Sequence, residues 1–126
     1  MIKTISAQGA PAAIGPYSHA VFAGQLLFTS GQIALDPETG KLAGEDIETQ
    51  AKQIFKNLKA VLAAAGFDFS NVVKTVIFMT DLSDFATVNR LYGELFAGDP
   101  PARSCVQVAA LPGGAKLEIE MIATEK

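Results

Sequence analysis

One cysteine, one histidine and no tryptophan occur in the 126 residues. A lone cysteine excludes an internal disulfide framework, and a lone histidine beside it excludes a zinc finger and most histidine-rich metal centres. Charge is sparse as well, at 18% of residues, with Lys+Arg 10 against Asp+Glu 13 and a net charge of −3. The cations nowhere cluster, which argues against a protein that tracks nucleic-acid phosphates. Long hydrophobic runs are missing too. The longest, Ala60–Phe67, falls far short of the roughly 20 residues a membrane-spanning helix needs. Met1–Ala13 has one Lys and no apolar stretch of the secretory kind, so a cytoplasmic protein with no membrane partner is expected. No phosphate-binding glycine pattern, G-x-S-x-G, H-E-x-x-H or C-x-x-C occurs, and no repeat or linker divides the chain. A single domain over residues 1–126 is the expectation.

What is present is apolar. Hydrophobic residues make up 49% of the chain, and a chain of this length can bury about two-thirds of its unfolded surface. A mean hydropathy of +0.28 with so few charges leaves apolar surface beyond one small core, as in a subunit interface. The periodicities describe an α+β domain. Ile2–Ser6 alternates weakly as a first strand, and Gln8–Pro16 is a Gly/Pro/Ala loop. Ala20–Phe22 and Leu26–Ser30 are short apolar runs joined through Ala23-Gly24-Gln25, a hairpin signature. Asp36-Pro37-Glu38-Thr39-Gly40 is a turn cluster.

Ile47, Ala51, Ile54, Phe55, Leu58, Val61, Leu62 and Ala65 fall on one helical stripe, with Asp46 placed to cap its start and Gly66 its end. A second helix is predicted over about Asp84–Phe96, capped by Ser83 and burying Phe85, Val88, Tyr92, Leu95 and Phe96. Strands are predicted at Val72–Thr80, Arg103–Val108 and Lys116–Thr124, with a turn region at Leu111–Ala115. Val72–Thr80 is apolar on both faces, which predicts a central strand covered on both sides. Two helices can cover one face only. A second copy of the chain is the simplest cover for the other, so a homo-oligomer is expected.

Few residues offer chemistry. His19 and Ser18 are neighbours, and adjacent residues of an extended segment point apart, so His19 reads as a surface or loop histidine. Cys105 reads as a small strand filler, with no protonated histidine or helix N-terminus assignable to activate it. Pro100-Pro101-Ala102-Arg103-Ser104-Cys105 is more informative, because a rigid entry precedes a guanidinium at the start of a strand. Period-2 geometry groups Arg103, Cys105 and Gln107 on one face. In the last strand Glu118 and Glu120 share a face opposite Leu117, Ile119 and Met121. Carboxylates so placed are costly if buried unless paired or used. Spacing alone leaves a structural Arg–Glu pair, an exposed edge and a functional site all open.

Ile14-Gly15-Pro16-Tyr17-Ser18, Thr29-Ser30-Gly31-Gln32-Ile33 and Thr80-Asp81-Leu82-Ser83-Asp84-Phe85, with Val88-Asn89 and Tyr92, resemble the RidA (YjgF) family of reactive-intermediate deaminases. Pro101-Ala102-Arg103-Ser104-Cys105-Val106 and Leu117-Glu118-Ile119-Glu120 are the most specific matches, and the resemblance runs end to end. It implies a chorismate-mutase-like α+β fold, a mixed sheet with two helices on one face, in a homotrimer with three clefts between subunits. The implied activity is hydrolysis of 2-enamine and 2-imine acids, such as 2-aminoacrylate and 2-iminobutanoate, to 2-keto acids and ammonia, with no cofactor and no metal. Arg103 is then the carboxylate clamp, a planar fork that Lys would not replace. Glu118 holds the attacking water or shuttles a proton. Tyr17 closes the cleft, backbone groups at Gly31 and Cys105 bind the ligand with Ser30 nearby, and Asn89 adds a weaker contact from the second helix. Two other functions compete. A translation-inhibiting ribonuclease is disfavoured by the charge and the lone histidine, and a non-catalytic small-acid binding or chaperone-like module would use the same arginine cleft.

Overall fold

Asp46 opens the first helix from an extended backbone, its carboxylate accepting the Thr49 N–H at 2.9 Å. Helix α1 follows over Ile47–Ala64 in a computed structural model that describes residues 1–126. Gly66 ends it with φ of +80°, the left-handed conformation a helix terminus favours in glycine. The apolar stripe from Ala51 to Leu62 is buried as its spacing predicts, and Gln50 and Asn57 are buried with it, 1% and 0% exposed.

The strands are β1 (Ile2–Ile5), β2 (Ala20–Ala23), β3 (Leu26–Thr29), β4 (Val72–Met79), β5 (Ala102–Gln107) and β6 (Leu117–Thr124). They form one mixed sheet in the order β1-β2-β3-β6-β4-β5. β2 and β3 join through Gly24-Gln25, with Gly24 at φ +62°, as a tight hairpin requires. Helix α2 (Phe85–Gly93) carries the chain from β4 to β5, and such a crossover makes that pair parallel. Every other neighbouring pair is antiparallel.

One expectation is corrected. Ser83 does not cap α2. Asp81 accepts the Ser83 N–H instead, at 2.9 Å, and holds a short 3₁₀ turn, Leu82–Asp84, that delays the helix to Phe85; α2 then stops at Gly93. β4 lies inside the sheet, paired to β6 on one side and β5 on the other, as its apolar character predicts.

The core occupies one face of the sheet. Leu27, Thr75, Ile77, Met79, Leu117, Ile119, Met121 and Ala123 point into it and meet both helices. The opposite face carries Leu26, Phe28, Val76, Phe78, Val106 and Ile122, and nothing in the chain covers it: Phe28 is 41% and Val106 44% exposed. No helix is long and apolar enough to cross a membrane.

Candidate active site

Glu118 stands on the open face of β6, paired across the ladder with Phe78. Gln32 and Ile119 exchange backbone hydrogen bonds at 2.9 and 3.1 Å, which straps the Ser30-Gly31-Gln32 segment to β6 beside it. The strap is so close that a Cβ on Gly31 would overlap the Glu118 carboxylate, with Cγ only 3.0 Å away. The Ser30 hydroxyl donates to the Ser18 carbonyl at 2.6 Å, and the Ser30 N–H donates to the His19 carbonyl at 2.9 Å. These bonds bring in Tyr17. Tyr17, Ser30, Gly31 and Glu118 thus share a depression of about 320 Å³ whose other walls are Ile14, Ile33, Leu35 and Pro112. Burial there, and then the charge of Glu120, push the Glu118 carboxyl above the usual glutamate range.

Arg103 builds a second cluster. Its Nη1 donates to Asn89 Oδ1 at 2.7 Å. Its guanidinium carbon lies 5.3 Å from the Phe85 ring centre and 5.0 Å from that of Tyr92, both within cation–π range. The Tyr92 hydroxyl is tied to Thr75 Oγ1 at 2.7 Å. Helix α2 therefore aims the arginine through three side chains, Phe85, Asn89 and Tyr92. Sequence reasoning found Asn89 but read Phe85 and Tyr92 as core alone; their seven-residue spacing on one helix face was the available signal. Cys105, two residues on, lies 3.7 Å from Met79 Sδ, and burial raises its thiol pKa. It is a neutral thiol beside the arginine, consistent with a strand filler.

Ion pairs in the chain join Glu48 to Lys52 and Arg90, and Arg90 to Glu94. Arg103, Glu118 and Glu120 make none, which removes the structural Arg–Glu pair. The register explains why. Arg103 is opposite Thr75, and Thr75 is opposite Met121, all on the helix-covered face. Glu118 is opposite Phe78, and Phe78 is opposite Val106, all on the open face. Arg103 and Glu118 lie on opposite sides of one sheet, so one chain does not bring them together.

His19 is corrected in one respect. It is buried, 6% exposed, rather than on the surface. The Ala7 N–H donates to its Nδ1 at 2.8 Å, and Nε2 lies 2.8 Å from the Pro11 carbonyl. An accepting Nδ1 leaves the proton on Nε2, so the ring is a neutral clasp for the N-terminal loop and both nitrogens are occupied. No group of three His, Cys, Asp or Glu side chains converges as metal ligands.

Residues 7–125 match the family model described as Endoribonuclease L-PSP. The chain belongs to the RidA (YjgF) family. It is 51% identical over 123 residues to the 2-iminobutanoate/2-iminopropanoate deaminase of Mus musculus, covering 98% of this chain and 91% of that one. To the Salmonella typhimurium protein of the same name it is 50% identical over 129 residues, covering 100% of both. The solved structure of E. coli TdcF with bound serine superposes with a TM-score of 0.94 at 46% identity, covering 98% and 99%. This RidA-family member thus has the mixed α+β architecture that the resemblance implies.

Proposed function

We propose that the chain is a cofactor-independent deaminase that hydrolyses 2-imino acids and their 2-enamine tautomers to 2-keto acids and ammonia. The catalytic cleft lies between two copies of the chain, and three such clefts form in a homotrimer. The observation that carries this reading is the arginine. Arg103 is held by Asn89 and two aromatic rings, yet it has no carboxylate in its own chain. A fixed fork with no acid partner is suited to a substrate carboxylate.

Glu118 supplies the complementary half. A protonated imine, R–C(=NH₂⁺)–COO⁻, is open to water at carbon. Glu118 accepts a proton as the water oxygen bonds to that carbon, giving a carbinolamine. It returns that proton to nitrogen, and as the C–N bond breaks the carbinolamine hydroxyl gives its proton through Glu118 to the departing ammonia, leaving C=O on the keto acid and Glu118 ionised again. Atoms and charge balance: R–C(=NH₂⁺)–COO⁻ plus water gives R–CO–COO⁻ plus NH₄⁺. A carboxyl raised above its usual range is better matched to this exchange near neutral pH than an ordinary glutamate. Such imines also hydrolyse unaided, so orienting one water and one anion supplies much of what is needed.

The family description favours a second reading, an endoribonuclease. The neutral, doubly bonded His19 weighs against it, because the single imidazole is committed to Ala7 and Pro11 and is not free for acid–base work on RNA. A non-catalytic binder of small acids is the third possibility.

Complementation separates these readings. Arg103→Ala and Glu118→Gln proteins are each expected to release almost no ammonia from freshly generated 2-iminobutanoate. Unfolded together and refolded as mixed oligomers at equal ratio, they should regain about one quarter of wild-type activity, the chance that one interface receives both intact halves. No regain, with each variant folded and mixed oligomers formed, refutes the shared cleft. Absence of turnover in the wild type leaves the binding module, and RNA cleavage by the same preparation restores the nuclease.

A further inference from the structure

Beside Glu118 the depression is walled by Ile33 and Leu35, whose positions depend on an interior side chain of α1. Asn57 is fully buried. Its Nδ2 donates to the Leu35 carbonyl at 2.9 Å and the Ile33 carbonyl at 3.4 Å, and its Oδ1 accepts from Gln53 Nε2 at 2.8 Å. The Leu35 N–H also donates to the Ile33 carbonyl at 2.8 Å, so the two carbonyls belong to one tight bend. Between them Ala34 is fully buried, while Ile33 and Leu35 line the depression. A polar amide inside an apolar helix stripe is unfavourable unless its bonds are all made, as they are here. An aliphatic residue at 57 would leave the Leu35 carbonyl unpaired and the Ile33 carbonyl with the Leu35 N–H alone.

We propose that Asn57 is a positioning residue: by holding the Ile33–Leu35 bend it sets an apolar wall that selects the length of the substrate side chain. The inference rests on the acid-binding cleft described above. If Glu118 orients the water, the reacting carbon lies within about 3.5 Å of that water. The carboxylate on that carbon is directed to Arg103, and the side chain R then falls among Ile14, Ile33, Leu35 and Pro112. A Cβ on Gly113 would lie 3.8 Å from Ile33 Cδ1, so the Pro112–Gly114 turn stands beside Ile33 in the same wall. A chemically broad cleft with one apolar wall favours aliphatic 2-imino acids over those with a methyl group alone.

The test uses the keto-acid products as ligands, so it does not depend on turnover. Pyruvate and 4-methyl-2-oxopentanoate are titrated into wild type, Asn57→Ser and Leu35→Ala, and ammonia release from the corresponding imines is followed in parallel. Wild type should bind the longer acid more tightly. Both variants should weaken that acid about tenfold while pyruvate stays within about twofold. In turnover the change should fall on KM of the longer imine, with kcat little altered. Equal weakening of both ligands, or of neither, overturns the proposal. So does a wild type that binds the longer acid no better than pyruvate. Should Asn57→Ser fail to fold, Leu35→Ala decides, since its half-buried side chain leaves α1 intact; an unchanged ratio there refutes the wall. If the wild type binds as expected but releases no ammonia, the deaminase reading fails while the wall stands.

Discussion

Gly31→Ala is a small change whose consequence can be worked from the geometry. The new methyl would overlap the Glu118 carboxylate, 2.7 Å from its Cδ and 3.0 Å from its Cγ. Ordinary contacts of that kind start at about 3.4 Å, so the carboxylate must retreat by roughly 1 Å. The backbone has no objection, because Gly31 is not among the glycines with positive φ. The moving group is the end of a flexible side chain, so the fold loses little, and removing a glycine stiffens the unfolded chain by about 0.4–1 kcal/mol. Catalysis is less forgiving. Misplacement of a reacting group by 1 Å costs on the order of a hundredfold, or about 2.7 kcal/mol of barrier. Gly31→Ala should therefore melt within a few degrees of wild type yet turn over 2-iminobutanoate about a hundredfold more slowly. Shortening the acid relieves the overlap, so Gly31→Ala with Glu118→Asp should be less impaired than the two single losses combined. A fully active Gly31→Ala enzyme, or strictly additive losses in the pair, would refute the placement of Glu118 at the reacting water.

Arg103→Ala should lose turnover by about a hundredfold or more, on the order of 3 kcal/mol for a charge-assisted clamp, and Arg103→Lys should recover little because it lacks the fork. Both should keep their melting temperature within a few degrees, since no ion pair is broken; a large fall in stability with normal turnover would contradict the clamp. Glu120 raises the Glu118 pKa by charge repulsion. Glu120→Gln removes that repulsion and should move the acid limb of kcat/KM to lower pH, because Glu118 then sheds its proton more readily. An acid limb that stays put or moves upward rules Glu118 out as the titrating base.

Much of the fold was legible because burial follows simple periods. The α1 stripe, the Asp46 cap and the alternation of β6 follow from 3.6- and 2-residue spacing, and the structure places them as expected. Legibility ended where a polar residue does interior work. Gln50 and Asn57 interrupt no pattern that hydropathy can see, yet both are buried. Gln50 joins the Gly44 carbonyl to the Lys116 N–H, at 3.0 and 2.9 Å, just before β6 enters the site. Their bonds run to residues more than twenty positions away or across a loop, and no local rule reports such contacts. Asp81 displaced Ser83 as a cap because its carboxylate forms a 3₁₀ turn one step earlier, and end signals of equal strength two residues apart are not ranked by sequence. His19 was misplaced for the converse reason: a loop position says nothing about a clasp with the distant Ala7 backbone.

The candidate residues were named from the sequence and the resemblance implied clefts between subunits, but the faces they occupy were not legible, because period 2 tells which residues of one strand share a face and not how the faces of two strands align. The register through β4 settles it: Arg103 faces the helices and Glu118 faces away. That opposition limits which assemblies could form a shared cleft. Packing two open faces together by a twofold axis would bury both copies of Glu118 and leave both copies of Arg103 behind the sheets. In a ring where the β5 edge of one copy met the open face of the next, Arg103 and Glu118 would come together at each junction and Phe28, Val106 and Ile122 would be covered at the same time. An aspartate among those apolar residues should be intolerable in the ring and harmless in a lone chain. Phe28→Asp, 41% exposed in the single chain, is therefore expected to keep its secondary structure, sediment as a monomer and lose deaminase turnover together with oligomerisation. A monomeric Phe28→Asp protein with wild-type activity would show that one chain suffices and would refute the shared cleft outright.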